Sequence, residues 1–171
     1  VTIGGNDLNY VGGLLNATCR GDGMMTFAGK RFPCPPPSDP SEADYDQVES
    51  NMLKIAAEVK LRAPDAELVF VQNQRLIPET LCDATPLSAE VAAKGRQIAQ
   101  RLADINVRVA QQTGAVLVPM HDLSQGHSPC DAEPWAIGSP PNYDGSDGAT
   151  WHPSAAGMRA VAIAVESALT R

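Results

Sequence analysis

Three short apolar runs, residues 1–5 (Val-Thr-Ile-Gly-Gly), 67–71 (Glu-Leu-Val-Phe-Val) and 115–120 (Ala-Val-Leu-Val-Pro-Met), stand far apart, with long helical patterns between them. A strand apolar at consecutive positions is buried on both faces. Strands separated by helix-length segments are joined by right-handed crossovers. The pattern therefore predicts an α/β chain with βαβ units, a parallel sheet and helices on both sides. The expected arrangement is flavodoxin-like, with three layers in the order α/β/α. Such a sheet usually has five strands and only three are visible, so the first strands are expected to be missing from this chain. Val1–Gly5 would then be a central strand with an open apolar edge, a liability for a free-standing domain. The 171 residues suit one domain, read as 1–171 and incomplete on its N-terminal side.

Between the runs, Leu8–Ala17 suits a short helix interrupted by Gly12-Gly13. Ser41 with Asp44 three residues on resembles a helix cap, and Tyr45, Val48, Met52, Ile55 and Val59 recur at helical spacing to about Arg62. Thr85-Pro86 reads as the start of a long helix whose inner face is Val91, Ile98, Leu102, Ile105 and Val109, with Gly114 as its stop. A last helix is expected to start near Ser154 and to bury Met158, Val161, Val165 and Leu169. Residues 19–40, with Pro33, Pro35, Pro36 and Pro37, read as a surface loop, and 121–150 as irregular.

Four cysteines, Cys19, Cys34, Cys82 and Cys130, are even in number and contain no CxxC pair. Two disulfides in an oxidising compartment are the expected framework. Of the three possible connectivities, Cys19–Cys34 with Cys82–Cys130 is favoured, because each bridge closes a stretch that otherwise lacks structure. His121 and His127 with Cys130 have poor metal spacing, and no metal or cofactor is implied. With 13 basic and 20 acidic residues the chain carries −7, and no basic stripe faces a nucleic acid. No segment has the apolar length of a transmembrane span.

Two motifs carry chemistry. Gly4-Gly5-Asn6-Asp7 ends an apolar run, placing a neutral amide donor on a strand tip where it can stabilise developing negative charge. His152-Pro153-Ser154-Ala155-Ala156-Gly157 sets an imidazole just before a helix of small residues, and an imidazole suits general-base work near neutral pH.

Together these motifs resemble blocks III and V of the SGNH (GDSL-type) serine hydrolases. The loop containing Gly126–Cys130 and Pro134–Gly138 is similar to the disulfide-anchored loop of secreted actinobacterial esterases of that family. The resemblance implies a carboxylic ester hydrolase, an esterase or lipase acting through an acyl-serine intermediate on a small ester or lipid, in a secreted or cell-envelope protein. By it His152 is the general base, Asn6 an oxyanion donor, and Gly4 and Gly5 let substrate approach the backbone. Trp135 is a candidate pocket wall.

The family's acid stands three residues before the histidine, and here that position is Ala149. Asp147 is one substitute. A backbone carbonyl, that of Ala149 being the favoured one, is the other. The family's Gly-Asp-Ser nucleophile motif is absent: Gly21-Asp22-Gly23 lacks the serine, and Gly145-Ser146-Asp147 has the wrong order. An N-terminal segment of the same protein is the expected partner that supplies it, and the chain alone is expected to be inactive. The competing readings are a non-catalytic envelope or ligand-binding domain on the same scaffold, and an acyltransferase.

Overall fold

The computed structural model describes residues 1–19, 23–27, 30–34 and 39–170. Its order is α1 (Tyr10–Ala17), β1 (Met24–Phe27), β2 (Lys30–Pro33), α2 (Glu42–Arg62), β3 (Val69–Val71), α3 (Ala89–Thr113), β4 (Val116–Val118), α4 (Met120–Leu123) and α5 (Ala155–Leu169). Strands β3 and β4 pair in parallel, Val69 opposite Val116 and Val71 opposite Val118, joined by α3 as a βαβ unit. Val1 flanks β3: its backbone nitrogen donates to the Val69 carbonyl at 2.6 Å, and its carbonyl accepts from the Val71 N–H at 2.8 Å. Residues 1–3 are otherwise irregular, so only the start of the expected first strand joins the sheet.

Alternation along β3 produces the layers. Phe70 packs with Tyr45, Val48 and Met52 of α2 and with Leu102, Ile105 and Val109 of α3. Val69 and Val71 turn the other way, onto Val161, Ala164, Val165 and Ala168 of α5. Successive strand residues face opposite sides of a sheet, so α2 and α3 cover one face and α5 the other. This is the three-layer α/β/α arrangement expected from the sequence.

The helix starts are set by side-chain caps. Ser41 and Asp44 form a reciprocal capping box: the Ser41 N–H donates to Asp44 Oδ2 at 2.7 Å, and the Asp44 N–H to Ser41 Oγ at 3.3 Å. Helix α3 starts later than expected, because Ser88, not Thr85, is its cap, accepting from the Val91 N–H at 3.2 Å. Thr85 is fully buried against the disulfide, its Oγ1 accepting from the Cys82 N–H at 3.0 Å and lying 3.3 Å from Cys130 Sγ. Arg101 forks onto Glu42 and stacks over the Tyr45 ring at 3.6 Å, tying α2 to α3.

Three other expectations are corrected. Within 19–40, β1 and β2 form an antiparallel hairpin, Met24 opposite Pro33, where a loop was expected; Pro35, Pro36 and Pro37 lie outside the described residues. On α2 the buried face is Tyr45, Val48, Met52 and Ala56, which leaves Ile55 exposed. On α5 Met158 and Leu169 are exposed, not buried, because the inward face is the small-residue one that includes Gly157, Ala160, Ala164 and Ala168. Both favoured disulfides are present, Cys19–Cys34 with Cα atoms 6.1 Å apart and Cys82–Cys130 with Cα atoms 5.9 Å apart. Among the described residues no helix is long and apolar enough to cross a membrane.

Candidate active site

The tip of the first apolar run is a turn built on glycine. Gly4 is buried with φ +95°, and a Cβ there would meet Leu102 Cδ1 at 2.7 Å, so neither the dihedral nor the space admits a side chain. The Leu8 N–H donates to the Gly4 carbonyl at 3.1 Å, the Asn9 N–H to that of Asn6 at 3.0 Å, and the Tyr10 N–H to that of Gly5 at 2.9 Å. Buried Leu8 and Tyr10 anchor the turn from below and leave the Asn6 side chain exposed at its apex.

The backbone on both sides of His152 is pinned by its neighbours. Trp151 is wholly buried in a left-handed conformation (φ +59°), donating its indole N–H to Thr18 Oγ1 at 3.2 Å. The Trp151 N–H donates to the Ile137 carbonyl and the Ile137 N–H to the His152 carbonyl, both at 2.8 Å. Ala136 bridges Pro153, and the Ser154 N–H donates to the Trp135 carbonyl at 2.8 Å. Ser154 then caps α5, its Oγ accepting from the Gly157 N–H at 3.1 Å.

The imidazole Nδ1 of His152 lies 2.9 Å from the Thr150 carbonyl. A carbonyl only accepts, so Nδ1 carries the hydrogen, and in the neutral ring the lone pair is then on Nε2. The orienting group is a backbone carbonyl, as favoured, but that of Thr150 rather than Ala149. Asp147 sits in an exposed turn.

A pocket of about 300 Å³ joins the two motifs. Gly4, Gly5, Asn6 and Asp7 form one wall, Trp151, His152 and Pro153 another, and Tyr10, Asn73, Gln74 and Leu76 contribute from α1 and the segment after β3. Asp147 and Trp135 do not line it. Trp135 instead stacks on His127, ring centroids 3.8 Å apart and 5° from parallel, and borders a separate apolar groove with Met120, Leu123 and Ile163. Its contribution to the site is the backbone carbonyl that holds Ser154.

Sequence reasoning missed Tyr10, Asn73, Gln74 and Thr150. A signal for two of them existed: Gln72-Asn73-Gln74 follows an apolar strand directly, and ligands of parallel α/β sheets bind at the carboxyl ends of strands. Burial pushes the Tyr10 phenol well above its ordinary range, so it stays protonated at any working pH. The imagined cluster of His121, His127 and Cys130 is dissolved by chemistry, since Cys130 is oxidised to Cys82 and His127 lies flat on Trp135.

Comparison with known proteins fits this geometry. Residues 1–160 match the model of the GDSL-like lipase/acylhydrolase family. Lipase 2 of Streptomyces coelicolor is 31% identical over 172 residues, an alignment covering 95% of this chain and 56% of that protein. The chain thus spans about half the length of that curated relative. The crystal structure of phospholipase A1 from Streptomyces albidoflavus NA297 superposes with a TM-score of 0.67 at 18% identity, covering 98% of this chain and 66% of that one. An extracellular lipase from Streptomyces rimosus gives 0.63 at 18% identity, covering 98% and 67%. At that identity the two structures speak for the fold.

Proposed function

Because the chain belongs to the GDSL-like lipase/acylhydrolase family, we propose that it carries the base and one oxyanion donor of a serine ester hydrolase. The observation that carries this reading is the Nδ1–H bond of His152 to the Thr150 carbonyl, beside the same pocket as Gly4-Gly5-Asn6. It leaves Nε2 free to accept a proton, opposite an amide free to donate one.

The nucleophile is a serine in a segment upstream of Val1. Nε2 of His152 takes the serine proton as the oxygen attacks the ester carbonyl carbon. Charge gathers on the carbonyl oxygen, and the Asn6 side-chain N–H stabilises it with little reorganisation because its turn is already fixed. The C–O bond to the alcohol then breaks, and the imidazolium returns its proton to the departing alkoxide. Water, deprotonated by the same Nε2, attacks the acyl-serine and releases the acid. The substrate is a small ester or lipid, and the protein works in the secreted or envelope compartment. The two disulfides support that location, as do the names of the relatives, a lipase, a phospholipase A1 and an extracellular lipase.

The test is hydrolysis of p-nitrophenyl esters by the full-length protein. Asn6→Ala is expected to lower kcat by roughly 10²–10³-fold and His152→Ala by about 10²–10⁴-fold, with the thermal midpoint little changed because both side chains are exposed. A full-length protein inert on short- and long-chain esters and unlabelled by a serine-directed phosphonate would remove the proposal.

A further inference from the structure

Three consecutive side-chain amides leave the carboxyl end of β3, and two are already engaged. Gln72 Nε2 donates to the Ala103 carbonyl at 3.0 Å while its Oε1 accepts from the His121 N–H at 3.3 Å, joining β3 to α3 and α4. Gln74 Nε2 donates to the Gly157 carbonyl at 2.9 Å, bracing the first turn of α5 beneath His152. Asn73 differs. Its Nδ2 is buried and has no hydrogen-bond partner, yet the residue lines the pocket it shares with Gly5, Asn6 and His152.

Gly5 explains how the amide reaches that wall. A Cβ on Gly5 would lie 3.2 Å from Asn73 Nδ2, closer than all but about one in ten such contacts, so the glycine leaves the amide room at the strand tip. A buried N–H with no acceptor is costly, and it is tolerated where something that enters the site supplies one. A carboxylic ester brings acceptors only, a carbonyl and an alkoxy oxygen, which is the complement of an unpartnered donor.

We infer that Asn73 is a second substrate-touching amide of this site, donating its Nδ2–H to an oxygen of the bound ester alongside Asn6. The inference rests on the ester-hydrolase reading and adds to it a residue outside the two motifs. Since the contact is with the ester group and not with the acyl chain, its loss weakens short and long substrates alike.

The experiment compares full-length wild type with Asn73→Leu and Asn73→Ala on p-nitrophenyl butyrate and p-nitrophenyl palmitate, reading kcat, KM and the thermal midpoint. Both variants are expected to lose on the order of 10–100-fold in kcat/KM on both esters. The leucine variant is expected to keep or raise the midpoint, because an apolar group replaces an unpartnered donor. The alanine variant keeps the test valid if leucine does not fold. An active wild type with both variants within twofold in kcat/KM overturns the inference and leaves the hydrolase reading standing. A midpoint several degrees lower with unchanged kcat/KM also overturns it, by placing the acceptor elsewhere in the protein. A wild type inert on both esters overturns the hydrolase reading and this inference with it.

Discussion

Gly157→Ala is the substitution that most sharply tests how α5 positions His152. Alanine in a helix is ordinarily better than glycine by about 1 kcal/mol, so the change should stabilise if the position were free. Here a Cβ would stand 2.0 Å from the Trp135 carbonyl oxygen and 2.7 Å from Gln74 Oε1. The first distance is roughly 1.5 Å short of an ordinary contact, and its partner is backbone, which cannot rotate away. Overpacking of this kind costs about 1–3 kcal/mol. The displaced Trp135 carbonyl also loses the Ser154 N–H, a hydrogen bond worth about 1 kcal/mol. Against the helical gain, the net is a loss of about 2 kcal/mol, or about 4–8 °C in the midpoint for a domain of this size. The assay is thermal unfolding of the full-length protein followed by circular dichroism, with ester hydrolysis at 25 °C as a second readout. Activity should fall further than stability, since a shift on the order of 1 Å in a catalytic group can cost about 10²-fold and the same Ser154 turn carries His152. Gly13→Ala is the control, lying in α1 with nothing within 4 Å of its Cβ, and it should raise stability. If Gly157→Ala were as stable as Gly13→Ala, the close approach of α5 to the 135–137 segment would be refuted.

Asp147→Asn is expected to leave kcat/KM within about twofold of wild type, because the Thr150 carbonyl already holds Nδ1; a larger loss in a steady-state assay would assign the orienting role to the carboxylate. Replacing Cys82 and Cys130 by alanine opens a 48-residue loop and should cost about 4 kcal/mol, against about 3 kcal/mol for the 15-residue Cys19–Cys34 loop; urea unfolding checks the order of the two. His121 is buried, and burial first, then the neighbouring Arg75, lowers its pKa, only partly opposed by Asp122 and Asp104. The unfolded chain therefore binds a proton at about pH 6.5 that the folded one refuses. Stability should be full above that pH and decline as pH falls through and below it, and His121→Gln should flatten that limb of the denaturation profile.

What could be read from the sequence is what depends on neighbours in sequence. The Ser41–Asp44 cap, the two buried strands and the αL stop at Gly114 are local, and each lies within a residue or two of its expected place. Both motifs line one pocket together with Asn73, Gln74 and Leu76 from the segment that leaves the carboxyl end of β3. The failures share a different cause. Thr85 has the chemistry of a cap, but the Cys82–Cys130 bridge engages its hydroxyl, and Ser88 caps instead. On α5, hydrophobicity alone selects Met158 and Leu169, whereas the close approach to Trp135 selects the glycine and alanine face. The hairpin of β1 and β2, four residues a strand, is too short for an alternation to register, and all of β2 is exposed. Asn73 escaped for a related reason: an orphaned donor is defined by what fails to surround it in space.

A carbonyl in place of a carboxylate behind the base changes less than the loss of a triad acid would suggest. An acid in that role fixes the tautomer and orientation of the imidazole and favours the imidazolium that forms as the proton moves. Replacing such an acid by an amide is severe mainly because the amide can donate, which stabilises the wrong tautomer. The Thr150 carbonyl cannot donate, so it selects the same tautomer, with Nε2 unprotonated, that a carboxylate would. The backbone that carries the ring is fixed as well, by the Trp151 and Ile137 N–H bonds to the Ile137 and His152 carbonyls and by the Ser154 cap two residues on. What is given up is the full negative charge facing the imidazolium. At an exposed histidine such as His152 water screens that charge, so under the proposed mechanism the electrostatic loss is small. The rigid 135–138 and 151–154 pairing thus supplies by geometry what a buried triad obtains from a charge.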